Sequence, residues 1–181
     1  MPAASRLIPR GHPAETTEAF CDGHVQAFAF FASLSESGSC HCKNIKIEYE
    51  TNIAPEDAKP RACQCSFCRQ HQSRSVSDPN GSVRITVDNA ELLSRYKFSM
   101  QSIEFLICRE CGVYVGAYMI DPANDKTYAT LMVSALDQRK RYPQPNPYDH
   151  DDQDKQARTA RRARSWTPAL LTIGKERIST T

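Results

Sequence analysis

Cys63, Cys65 and Cys68 place three thiols within six residues of one another. A structural zinc normally takes four protein ligands, whereas a catalytic zinc keeps three and leaves a position for water or substrate. Three clustered thiols with no obvious local fourth ligand therefore point to chemistry as well as stapling. An exogenous thiol is a natural occupant of the fourth position, because soft sulfur suits the site and coordination lowers a thiol pKa from about 8.5. The thiolate so favoured can add to an aldehyde carbonyl to give a hemithioacetal. Arg69, His71 and Arg74 follow the cluster and are candidates for holding a carboxylate or shuttling a proton; each reads equally well as an ordinary surface residue.

Four further cysteines form two short pairs, Cys40 with Cys42 and Cys108 with Cys111. A tetrahedral zinc joining the pairs would clamp an early strand to later β segments and supplement the core of a small β domain. Spacing alone leaves open that either pair belongs instead with the three-cysteine cluster. Gly112, directly after the second pair, suits a knuckle whose backbone must turn tightly. Iron in a rubredoxin-like site has similar ligands, and a redox dithiol at Cys108 and Cys111 would ask for a thioredoxin-like βαβ pattern that the sequence lacks. The eighth cysteine, Cys21, lies near His24 at a ligand-like spacing, but no further ligand adjoins them, so they read as a free thiol and a surface histidine.

The elements that must hold these thiols are mostly strands. Ile45, Ile47 and Tyr49 alternate with Lys46, Glu48 and Glu50, the period of a strand with one wet face. Ser35 to Ser39 before it reads as a turn, and Val25 to Leu34, with Phe28 and Phe30, as a strand or a buried helix. Asp78-Pro79-Asn80-Gly81 reads as a tight turn into a strand at Val83 to Asp88. Strand-prone segments follow around Tyr96 and Phe98, at Ile103 to Ile107, Val113 to Ile120 and Thr127 to Val133. Pro143, Pro145 and Pro147 exclude helix or central strand there. Lys155 to Arg164 reads as a helix with acids before it and arginines at its end, and Ala157, Ala160 and Ala163 offer a narrow face to pack on the body, with Trp166 anchoring the exit.

At 181 residues, with a net charge of +2 and 40% hydrophobic residues, the chain suits one domain and neither a membrane protein nor a dedicated nucleic-acid binder. We expect a flexible arm at residues 1–24, a zinc-binding β domain at 25–136, and a proline-containing linker with a basic helical tail at 137–181. That last segment holds ten Lys or Arg against six acids, which reads as a solvated helix face or as a surface for nucleic acid or protein. Clustered cysteines, and an N-terminus without a secretory pattern, make a cytoplasmic protein the expectation.

Gly38-Ser39-Cys40-His41-Cys42, then Cys63-Gln64-Cys65-Ser66-Phe67-Cys68-Arg69, then Phe105-Leu106-Ile107-Cys108-Arg109-Glu110-Cys111-Gly112 resemble the three signature blocks of the glutathione-dependent formaldehyde-activating enzyme family, which also contains a centromere-protein-V branch. Order and internal spacing match. Gln64 stands where family members often carry His, and Gln72 where a Gly is common. The resemblance implies a mainly β, zinc-stapled fold of the Mss4-like type with a C-terminal helix. It implies two zinc ions per chain, a structural one on Cys40, Cys42, Cys108 and Cys111 and a catalytic one on Cys63, Cys65 and Cys68. It further implies a carbon–sulfur lyase or synthase, with glutathione as co-substrate and an aldehyde such as formaldehyde as partner, near which Arg69 and His71 would serve. A zinc-stapled interaction module and a passive carrier of glutathione adducts are the competing expectations; a homo-oligomer is compatible with either.

Overall fold

A computed structural model describes residues 33–149, 152–174 and 176–178, all of them in one compact unit, Phe31–Thr181. The expected arm, the Cys21 and His24 pair, and most of the Val25 to Leu34 segment lie outside the described residues.

The chain enters on β1 (Leu34–Ser39), which pairs antiparallel with β2 (Ile45–Thr51). In β2 the buried residues are Ile45, Ile47, Tyr49 and Thr51, and Lys46 and Glu48 face solvent, as the alternation requires. The Ser-Glu-Ser-Gly-Ser stretch is strand rather than turn. Its Glu36 is buried, accepting hydrogen bonds from the Tyr142 hydroxyl and from the Gln138 amide at 3.1 Å. Gly38 lets the strand approach the turn that follows the later core: a Cβ there would lie 2.4 Å from the Ala135 carbonyl oxygen. A polar composition concealed a strand whose partners are about a hundred residues away in sequence.

The middle thiols lie on β3 (Arg61–Cys63), the one-turn helix α1 (Ser66–Gln70) and the residue between them, with β4 (Ser75–Val76) returning alongside. Next come β5 (Ser82–Val87), β6 (Leu93–Tyr96), β7 (Glu104–Cys108), β8 (Tyr114–Ile120) and β9 (Thr127–Met132). The chain closes with β10 (Asn146–Tyr148), the helix α2 (Lys155–Ser165), β11 (Thr167–Ile173) and β12 (Glu176–Ile178).

The described strands form a twelve-stranded sheet that runs β1-β2-β5-β11-β9-β4-β3-β10, with β8, β7 and β6 continuing from the other side of β9. β11 is the hinge of this plan. Its first residues, Thr167 and Pro168, pair antiparallel with β9, and Ala169 to Ile173 pair parallel with β5. The strand therefore joins the β1-β2-β5 layer to the layer that carries the middle thiols. The proline-bearing β10 sits at the end of the path, paired with β3, where a missing amide donor is tolerated.

Two apolar clusters result. The larger gathers Ile45, Ile47, Ile85, Val87, Leu106, Val115, Leu131 and Leu171. The smaller holds Cys68, Phe105, Tyr114, Met119, Met132 and Trp166, with Phe67, Phe98 and Ile103 packed against it.

α2 begins as its sequence indicates: Asp154 caps it by accepting from the Ala157 amide at 2.7 Å, and Arg162 and Arg164 lie in its last turn. Its packing face differs from the expected alanine stripe. Ala157 and Ala160 are exposed and Ala163 is half-buried, whereas Arg162 is buried and Arg158 and Arg161 are half-buried. Long apolar stems on the arginines cover more surface than an alanine methyl, and aromatic and hydroxyl groups opposite receive their heads. Trp166 is buried, as expected of an anchor.

Candidate metal centres and the adjoining cleft

Cys40 and Cys42 follow β1, and Cys108 and Cys111 follow from the end of β7. Their four sulfurs lie within 4.8 Å of one another. Cys40 and Cys42 sulfurs are 3.6 Å apart, and Cys42 and Cys108 sulfurs 3.4 Å. A tetrahedral zinc with bonds of about 2.3 Å sets its sulfurs about 3.8 Å apart, so the cage has the right size. Each pair is a tight knuckle. Lys43, with φ of 69°, and Gly112, with φ of 72°, follow the second cysteine of their pairs and turn the chain back. The Ile45 amide donates to Cys40 Sγ at 3.2 Å, and the Lys43 and Gly112 amides donate to the Cys40 and Cys108 carbonyls. Glycine at 112 was legible as a turn; Lys43 was not, because lysine carries no signal for a positive φ.

Burial pushes the Cys40 thiol up to about 12. Cys111 moves the other way, to about 6: burial raises it, but amides of Cys42 and Val113 and the Cys108 thiol together outweigh that and favour its thiolate. Four sulfurs at this spacing, with backbone amides donating toward Cys40 and Cys111, fit a thiophilic divalent ion such as zinc.

Cys63, Cys65 and Cys68 form the second group, again with sulfurs within 4.8 Å of one another. Cys63 ends β3, Cys65 caps α1, and Cys68 lies within α1, whose amide donates to Cys65 Sγ at 3.5 Å. The thiols of Cys63 and then Cys68 donate to Cys65 and hold it far below the ordinary thiol range, while hydrogen bonding to Cys63 and Cys65 together with burial pushes Cys68 well up. Among the described residues no fourth His, Cys, Asp or Glu joins this group. The donor set fits a zinc ion with a position left over.

The three thiols open into a cleft of about 540 Å³, a volume typical of a small-molecule site. One wall is apolar and comes from the smaller cluster: Phe98, Ile103, Phe105, Tyr114, Met132 and Trp166. Tyr114 is kept a neutral phenol by burial and by the nearby charge of Cys68, Cys63 and Cys65. The other wall is polar and carries Arg61 together with Arg158, Arg161 and Arg162 of α2. Ser73 lines the cleft beside the thiols, and its buried hydroxyl lies near enough to Cys68 to oppose in part the rise of that thiol's pKa.

A family model for the glutathione-dependent formaldehyde-activating enzyme matches residues 35–150. The chain belongs to this family. All seven clustered cysteines, Arg61 and Ser73 fall within the family segment, and α2 lies beyond it. A crystal structure of a Rhodobacter sphaeroides protein is 30% identical over 56% of this chain and 87% of that one, with a TM-score of 0.44. No curated protein matches the chain.

Of the sequence-stated site residues, the structure brings Cys40, Cys42, Cys108 and Cys111 into one group and Cys63, Cys65 and Cys68 into another, which decides the pairing that spacing left open. Arg69, His71 and Arg74 do not line the cleft. Arg69 and His71 are exposed, with the His71 ring packed 4.3 Å from that of Phe67, and Arg74 donates at 2.7 Å to the Arg139 carbonyl. α1 carries residues 69 to 71 away from the thiols it positions. Gln64 lines the cleft, donating its side-chain amide to the Ala62 carbonyl at 2.8 Å. Gln72 has φ of 45°, a backbone conformation that favours glycine. Among the polar cleft residues that sequence reasoning missed are Arg61, Ser73 and the α2 arginines. The Arg-x-x-Arg-Arg spacing, which repeats at three and four residues, was the available signal for one helix face.

Proposed function

We propose that this family member is a zinc-dependent carbon–sulfur lyase or synthase that joins a thiol to an aldehyde, or releases it, in the manner of an S-(hydroxymethyl)glutathione synthase. The observation that carries this reading is the contrast in closure: four sulfurs can complete one metal among themselves, whereas three sulfurs face a cleft sized for a small molecule. Cys40, Cys42, Cys108 and Cys111 would hold a structural zinc and Cys63, Cys65 and Cys68 a catalytic one. A zinc at the second group supplies, when bound, the Lewis acidity that favours the thiolate of an incoming thiol.

The rest belongs to the chain's own side chains. In the synthetic direction the thiol sulfur forms a bond to the aldehyde carbon, the carbonyl π pair moves onto oxygen, and the proton lost by the thiol ends on that oxygen as a hydroxyl. Ser73, which lines the cleft beside Cys68, is the candidate donor to the oxygen on which charge develops. Phe98, Phe105, Tyr114 and Met132 exclude water, which would otherwise compete for the aldehyde. The reverse reaction uses the same groups.

The test is direct. Zinc-replete protein mixed with glutathione and formaldehyde, and with other aldehydes, should accelerate adduct exchange measured by NMR. No acceleration with any aldehyde would remove the enzymatic reading and leave thiol binding without turnover. A nucleic-acid-binding role for the basic tail gains no support from α2, since Arg158, Arg161 and Arg162 line the cleft and Arg164 alone of its arginines is exposed.

A further inference from the structure

The arginine wall is built from stacked and tethered guanidinium groups. Tyr148 takes Arg61 on its ring at 5.6 Å and Arg161 at 5.4 Å, and Trp166 takes Arg162 at 5.6 Å. Arg161 is tied further to Gln153 Oε1 at 2.9 Å and to the Tyr148 hydroxyl, Arg162 to Ser102 Oγ at 2.8 Å, and Arg61 to Ser77 Oγ at 2.6 Å. These partners are neutral. Among the described residues no carboxylate pairs with Arg61, Arg161 or Arg162. Arg162 is 8% exposed, and charge that deep is costly unless an opposite charge meets it. Desolvation, then Arg161 and Arg158, lower Arg162 to about 10.

The balance of charge in the cleft narrows what can meet it. Four arginines line it, and among the described lining residues Asp149 is the one acid. Arg61, Arg161 and Arg162 line the same cleft as Cys63, Cys65 and Cys68, so one ligand can meet both the arginines and the thiols. A guanidinium stacked by its face keeps N–H edges for bidentate recognition of carboxylates. An ammonium group on the ligand would meet the like charges of Arg61, Arg161 and Arg162.

We propose that the cleft selects a thiol whose end remote from sulfur is purely acidic, carrying two or more carboxylates and no ammonium, with its sulfur at Cys63, Cys65 and Cys68 and its acids at Arg61, Arg161 and Arg162. Arg61 lies within the matched family segment and Arg161 and Arg162 on α2 beyond it, so this chain's choice of thiol draws on both parts of the chain. The proposal rests on the reading of the three-thiol group as a thiol site.

The test is calorimetric titration of the intact zinc-replete protein with four probes: glutaryl-cysteinyl-glycine, which is glutathione without its amino group; glutathione; 2-mercaptoethanol; and glutaryl-seryl-glycine, which lacks the thiol. The first should bind about tenfold or more tighter than 2-mercaptoethanol and about threefold or more tighter than glutathione. The Arg161→Gln/Arg162→Gln variant should bind it about tenfold more weakly, with 2-mercaptoethanol affinity and zinc content unchanged. Arg161→Lys/Arg162→Lys, which keeps charge but loses the fork, should fall between and serves if the glutamine variant does not fold. Glutathione binding as tightly as its deaminated analogue, or 2-mercaptoethanol binding equally well, would overturn the proposal. So would loss of zinc from the variants in step with affinity, since the arginines would then balance the metal–thiolate charge. Equal binding of the seryl probe would instead sink the thiol site and sustain the acid site.

Discussion

Cys40 and Cys108 are fully buried members of the larger core, while Cys63 and Cys65 are half-buried beside the smaller aromatic cluster and line the cleft. Both groups are cysteine sulfurs of similar spacing, yet their settings ask different things of a metal. The first set has a closed count of four and two backbone knuckles, and a metal there would tie β1 to β7, which are far apart in the sheet path. The second has a count of three, rests on a one-turn helix, and looks onto space. The difference teaches that ligand number and surroundings, rather than ligand chemistry, separate a staple from a reaction centre.

The sharpest way to break that contrast is to remove one sulfur from each. Cys40→Ser should cost the fold, because a structural zinc contributes on the order of 10 kcal/mol, comparable with the whole net stability of a domain; circular dichroism and soluble yield would show it. Cys65→Ser should keep the melting profile, lose about one of two zinc equivalents, and lower turnover about a hundredfold or more. Equal loss of fold from both would make the second group structural too. A milder version uses a chelator: zinc release followed by a colorimetric dye should be biphasic, the faster phase coinciding with loss of thiol binding and the slower with unfolding. A single phase would erase the distinction.

Ser73→Ala tests the open centre from its second row of atoms. It should lower kcat/KM about tenfold and leave thermal stability little changed, since the neighbour of its hydroxyl is a thiol, a weak hydrogen-bond partner. A fall in stability with normal kinetics would give Ser73 a structural role instead.

Asp78 offers the smallest effect and probes the joint between the two regions. Burial raises its pKa, but the Thr51 hydroxyl and the Asn80 and Asn52 amides outweigh that and hold it below the ordinary value. Its own amide donates to Thr167 Oγ1 at 2.8 Å, at the start of β11. A depressed carboxylate stabilises the fold above its unfolded pKa of about 3.9, and the gain is lost as pH falls through the folded value. Asp78→Asn should therefore cost about 1–2 kcal/mol near pH 7, with the two proteins converging in acid; denaturant melts at several pH values would measure the gap.

Local signals were readable and distant ones were not. Ile45, Ile47 and Tyr49 announced β2 because alternation is written in adjacent residues, and the cysteine spacings announced two knuckles and a triad. β1 escaped notice because Glu36 is buried through Tyr142, a partner no local rule could supply. β11 escaped because Thr-Pro-Ala-Leu-Leu-Thr-Ile is defined by two strands, β5 and β9, that reach it from different parts of the chain. The arginines of α2 were read as solvated because charge usually is, and only the aromatic rings opposite turn them inward.

β10 and β11 fix the two ends of the segment that contains α2: one is paired to the strand that ends in Cys63, the other is stitched into both layers of the sheet. A segment anchored this way behaves as an exchangeable cassette. Replacing residues 149–166 with another sequence that retains the Asp154 cap and Trp166 would alter which ligands the cleft admits while every sulfur stays in place. On the proposed reading, most of the choosing side chains then lie on a segment separate from the thiols, with Arg61 beside Cys63 as the shared exception.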